Sequence, residues 1–149
     1  MKGIDLKNYE HDRSLSEIRV SLENLGKVVD WVSERNIRSR SLFLRIDEKT
    51  KIIPDAYCRS LKDGSELIVE FENSRKSNTR IRALLKTYQM YFSLSQNTNQ
   101  KVLFFFISES LLKSFKSFYQ SQKLNFPVSF ILSSDVGVSV VDENRRWRV

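Results

Sequence analysis

Apolar residues recur every three or four positions in three stretches of the chain, and fall at alternate or consecutive positions in several shorter ones. Leu15, Ile18, Leu22, Leu25 and Val29 make the first stripe, one face of an amphipathic helix. Ser14-Leu-Ser-Glu17 has the capping-box spacing and Gly26 is a natural C-terminal stop, so the pattern predicts a helix over 14–25. The β-branched and aromatic run Val28–Ser33 predicts a short strand. Leu42, Leu44 and Ile46 alternate with Phe43 and Arg45, marking residues 41–46 as a hairpin arm. Residues 51–58 predict a strand interrupted at Pro54, which must sit where a missing backbone donor is tolerated. Lys62-Asp63-Gly64-Ser65 predicts a hairpin turn, because Asp-Gly accepts positive φ. ELIVEFE, residues 66–72, is the clearest strand of the chain.

Asn78 or Thr79 opens the next helix, carried by Ile81, Leu84, Leu85, Tyr88 and Phe92 and closed by the polar stretch 95–99. Val102–Ile107 is a continuous apolar run of strand length, as a strand buried on both faces requires. Leu111, Leu112, Phe115, Phe118 and Tyr119 make the stripe of a last helix, Pro127–Leu132 a last strand, and Val136–Val141 an added edge strand. The order is α β β β α β α β. Strands separated by helices imply parallel crossovers, while those around Gly64 pair antiparallel. The expectation is one α/β domain over 1–149, with a mixed central sheet and helices on both faces.

Composition narrows the function. With 149 residues, 40% of them hydrophobic, the chain can bury a real core. No apolar window is long enough to span a membrane, and the N-terminal stretch has no apolar region of a secretory signal. Cys58 is the single cysteine and His11 the single histidine, which excludes a disulfide framework and Cys- or His-rich metal clusters and fits a reducing cytoplasm. The net charge of +7 points to a polyanion, nucleic acid before an anionic membrane. Its distribution is one-sided. No acidic residue lies between Glu72 and Glu109, while Arg75, Lys76, Arg80, Arg82, Lys86 and Lys101 do. A basic tail over about 142–149 gathers Arg145, Arg146 and Arg148 around Trp147, a residue able to stack on a base. Arg75, Lys76, Arg80 and Arg82, at the start of the second helix, are candidate phosphate contacts.

Candidate chemistry gathers on the Gly64 hairpin. Its turn brings Asp55 toward Glu70, and Glu70 and Glu72, two apart on a strand, share a face opposite Leu67, Val69 and Phe71. Carboxylates meeting in a sheet repel unless a divalent cation or a cationic side chain neutralises them; Mg²⁺ is the usual ion for such oxygens. The plainer alternative is a solvent-facing edge with scattered acids. Cys58 reads as a small buried apolar residue.

The element order, with Ile-Pro-Asp55 followed by Glu70-x-Glu72, resembles the PD-(D/E)xK phosphodiesterase superfamily, the restriction-endonuclease-like fold. One branch is closer, the replication-relaxation or mobilisation-protein-C-like family. The matching pieces are His11-Asp12, Trp31-Val-Ser-Glu34, Pro54-Asp55-Ala56, Glu70-Phe-Glu72 and Lys86-Thr-Tyr88, spread over about residues 10–107. The resemblance implies a three-layer core, αβββαβ plus αβ. It implies that Asp55 and Glu70, helped by Glu17, hold Mg²⁺ or Mn²⁺, which activates a water against a phosphodiester. The lysine expected two residues after the second acid is here Glu72, so Lys86 or Lys76 would have to supply the missing cation. Gln89, one turn beyond Lys86, would contact DNA or a metal-bound water. Glu17 has a competing role as the capping-box acid, and His11 as a cap or surface contact rather than a base.

Three functions follow as expectations. The first is a DNA-binding, nuclease-like accessory module of plasmid mobilisation or replication, a component of a relaxosome beside a relaxase or replication protein. The second is an active Mg²⁺- or Mn²⁺-dependent DNA endonuclease using Asp55, Glu70, Glu72 and Lys86. The third is a protein-interaction module whose basic face meets an acidic partner.

Overall fold

The computed structural model describes residues 6–73, 78–95 and 99–139. Among the described residues twelve elements follow one another: α1 (Leu6–Asn24), β1 (Val28–Ser33), α2 (Glu34–Ser39), β2 (Leu44–Arg45), β3 (Lys51–Ile52), β4 (Ala56–Ser60), β5 (Glu66–Glu72), α3 (Asn78–Leu94), β6 (Gln100–Phe106), α4 (Glu109–Ser121), β7 (Val128–Leu132) and α5 (Ser133–Ser139). The main sheet has five strands in the order β1-β4-β5-β6-β7. β1, β4 and β5 pair antiparallel, and β5, β6 and β7 pair parallel. The fold is therefore α/β with a mixed sheet.

Alternation along the central strands divides the core in two. Val102, Phe104 and Phe106 of β6 face Ile81, Leu85 and Tyr88 of α3 and Leu111 and Phe115 of α4. Leu103 and Phe105 face the other way, with Leu67, Val69 and Phe71 of β5, Ile18 and Leu22 of α1 and Val136 of α5. Helices thus cover both faces, as expected. The five residues 102–106 of β6 are fully buried, in keeping with a central parallel strand.

Four sequence expectations need correction. The first helix begins at residue 6 rather than 14, so Ser14 and Glu17 lie inside α1. Residues 9–13 contain neither Gly nor Pro, and His11 gives them a tertiary anchor by packing on Phe71, ring centroids 5.6 Å apart. Glu17 accordingly accepts from Arg13 at 3.2 Å, an i,i+4 pair, instead of capping. Gly26 does stop the helix, with φ +65° and Lys27 N–H donating to Leu22 O at 3.0 Å. Second, residues 51–58 are two strands rather than one interrupted strand: Lys51–Ile52 pairs antiparallel with Leu44–Arg45 of the expected hairpin arm, in a separate two-stranded sheet. Pro54 is the divide, because β3 ends before it and β4, after it, enters the main sheet. Third, α2 was not expected; six residues are too few to show a helical period, and Ser33 caps it through Asn36 N–H. Fourth, the expected edge strand at 136–141 is helical through Ser139, its last two residues lying outside the described ones. The alternation of V-G-V-S-V imitates a strand, but Val136 finds its apolar surface against α1, and Asp135 sits favourably in the first helical turn.

Candidate functional site

The three acids of the β4–β5 hairpin are buried, not scattered along a wet edge: Asp55 is 9% exposed, Glu70 and Glu72 each 2%. Ala56 faces Val69 across the hairpin, so one step further sets Asp55 across from Glu70. Asp55 extends the ladder with its own atoms. Its N–H donates to Val69 O at 3.1 Å, and its Oδ2 accepts from Phe71 N–H at 2.8 Å. Glu70 and Glu72 project to the α3 side, as their spacing requires.

Each acid has a dedicated partner from a helix. His11 of α1 sets Nε2 at 3.5 Å from Asp55 Oδ2 and Nδ1 at 3.6 Å from Asp12 Oδ1. The hydrogen bond and charge of Asp55 outweigh the desolvation that opposes them and raise the His11 pKa to about 9, so the ring is an imidazolium at neutral pH. Tyr88 of α3 donates its hydroxyl to Glu70 Oε1 at 2.7 Å. Burial, and then the charge of Asp55, push the Glu70 carboxyl well above its ordinary range, so it holds its proton where a surface glutamate would not. Arg80 of α3 donates from Nη1 to Glu72 Oε1 at 2.9 Å while most of its side chain stays in solvent.

The remaining candidates lie elsewhere. Lys86 is exposed, with Nζ 5.9 Å from the centre of the Phe118 ring on α4, and Arg82 stands over the same ring at 5.3 Å. The sheet-facing side of α3 is Ile81, Leu85 and Tyr88, so it is Tyr88 rather than Lys86 that reaches Glu70. Gln89 has both ends of its amide committed to Asn125, at 2.8 and 2.7 Å, tying α3 to the loop before β7. Glu17, paired with Arg13, lines a hollow against α5 that Asp55 does not share. Arg75, Lys76 and the tail with Trp147 lie outside the described residues. Cys58 is buried as expected, its thiol pushed up to about 12 by desolvation.

Two partners of the acids were visible in the sequence without their roles. His11 was one half of the His-Asp pair, and Tyr88 ended the Lys-x-x-Tyr motif; neither pattern says which acid each meets. The Arg80–Glu72 pair had no signal beyond the presence of a basic helix start. Among the described residues no three acidic, histidine or cysteine side chains converge as a metal-holding group. The donor set explains this. Asp55 Oδ2 is engaged by a backbone N–H and an imidazolium, Glu70 accepts from the Tyr88 hydroxyl and is disfavoured as a carboxylate by burial, and Glu72 faces a guanidinium. So arranged, these side chains fit a divalent cation poorly. No helix among the described residues is long and apolar enough to cross a membrane.

No protein-family model, curated protein or solved structure matches this chain.

Proposed function

We propose that this chain is a DNA-binding module of restriction-endonuclease-like fold, an accessory to plasmid mobilisation or replication that leaves strand cleavage to a partner such as a relaxase. The observation that carries this reading is the internal neutralisation of the acids. Asp55, Glu70 and Glu72 are answered by His11, Tyr88 and Arg80, so in this reading the hairpin needs no metal ion to hold its acids together. The acid-free start of α3 supplies the DNA contacts. Arg82 and Lys86 are exposed there, and Arg80 keeps enough free surface to meet a phosphate while bound to Glu72. In this reading the protein works in the cytoplasm.

The crowding of Asp55 and Glu70 favours one alternative, an endonuclease in which Mg²⁺ or Mn²⁺ takes over the compensation. A plasmid-nicking assay with Mn²⁺, run beside gel shifts of the same DNA, separates the two. The accessory reading expects no nicking, and a shift that weakens steeply with salt because phosphate contacts release counterions. Arg82→Glu and Lys86→Glu should each weaken the shift and reduce its salt slope by about one, while Asp55→Asn leaves it unchanged. Nicking by the wild type that disappears in Asp55→Asn would replace the accessory reading with the endonuclease. Failure to bind bare DNA would leave the protein-interaction module.

A further inference from the structure

Beside Asp55, on the α1 side of the sheet, lies an open hollow of about 480 Å³ between α1, β1 and α2, within the ~300–1,000 Å³ of small-molecule sites. Asp12, Leu15, Ser16 and Arg19 reach it from one helical face of α1, and Glu34, Arg35 and Arg38 from α2. Trp31 and Ser33 of β1 complete the lining, and the backbone bends to put Trp31 there. Val29 and Val32 are three apart on β1, yet their partners Arg59 and Tyr57 are two apart on β4, so β1 carries one extra residue. Asp30 absorbs it with φ +59°, a left-handed conformation that Asp tolerates better than most residues. A regular strand would put Val28 and Asp30 on one face; the bulge puts Val28 and Trp31 there instead, and Val32 opposite. Bulges that re-aim a side chain concentrate beside functional sites.

The charges around Trp31 are unequal in their commitments. Asp12 and Asp55 flank His11, and Glu34 is bound by Arg38 at 2.9 Å. Arg19 is held by Glu23, also at 2.9 Å. Arg35 is exposed and has no acidic partner among the described residues. The Arg19 and Arg38 pairs are solvent-exposed i,i+4 pairs of the kind that contribute little, so a phosphate recruits these arginines at little cost.

From this we infer that the hollow takes one unpaired nucleotide of a single DNA strand, its base against Trp31 and its phosphate at Arg35. Base and indole both present flat apolar faces, and such stacking is open to any base. A base within a duplex is already stacked on its neighbours and cannot offer that face, so duplex DNA is not the occupant. The inference rests on the DNA-binding reading above and gives it a second, strand-selective surface on the opposite side of the sheet from α3.

The test uses the full chain carrying Trp147→Phe, which leaves Trp31 as the reporter, titrated with a short single strand and with the same sequence as a duplex. The single strand should quench Trp31 fluorescence. Arg35→Glu should weaken single-strand binding at least ten-fold while duplex binding stays within two-fold, which also shows that the variant is folded. Single-strand binding that neither quenches Trp31 nor responds to Arg35→Glu would overturn the inference and leave DNA binding by α3 standing. Absence of binding to either DNA would remove both readings. A free nucleoside monophosphate that competes as well as the oligonucleotide would overturn the strand and assign the hollow to free nucleotides.

Discussion

His11 joins the N-terminal part of α1 to the hairpin, and its charge makes that junction depend on pH. The sign follows from its raised pKa. Folding raises the imidazole from 6.5 to about 9, so its contribution is complete below about pH 6.5 and disappears as pH rises through 9. The size is on the order of 3 kcal/mol. Glu70, also raised, loses its proton in the same direction, so the comparison that isolates His11 is with His11→Gln. Denaturant midpoints of the wild type should fall between pH 6.5 and 9 by clearly more than those of the variant. Equal pH dependence in the two proteins would mean that the Asp55 contact does not hold the proton. At this scale the sequence was partly legible. The pairing of Asp55 with Glu70 followed from the turn at Gly64 and the two-residue period of strands. The contacts from His11, Tyr88 and Arg80 did not, because they depend on how helices lie across the sheet, which no local pattern encodes.

Elements were legible in proportion to their length and to the purity of their period. β1 and β5 fall where the β-branched runs put them, and α3 opens at Asn78 as expected. The failures were short or ambiguous segments: α2, with six residues, and α5, whose valines alternate like a strand. The bulge in β1 was illegible for a different reason. Asp30, in the middle of V-V-D-W-V, reads locally as a poor strand residue, whereas its service is to accept positive φ and turn Trp31 toward α1. Replacing it tests that service. Asp30→Gly should keep the bulge and most of the stability. Asp30→Ile, β-branched and averse to the left-handed region, should cost about 1–2 kcal/mol and shift the Trp31 emission as its ring is redirected. A fully stable Asp30→Ile protein with unchanged emission would show that the residue is not constrained.

Across the whole molecule, the antiparallel half of the sheet is local and the parallel half is not. β4 and β5 need only the turn around Gly64 to meet. β6 must wait for α3 to bridge from β5, and β7 for α4. Both core layers meet on β6, whose Val102–Phe106 is completely enclosed in the finished fold. The same enclosure is a hazard before it is complete. A V-L-F-F-F run that non-local pairing covers late is sticky while bare, and its three successive phenylalanines suit it to stack with its own copies. Recovery of native protein after rapid dilution from denaturant should therefore fall as protein concentration rises, and light scattering should appear early in the reaction. The feature that makes β6 the keystone of the native sheet thus makes the refolding chain vulnerable to its neighbours.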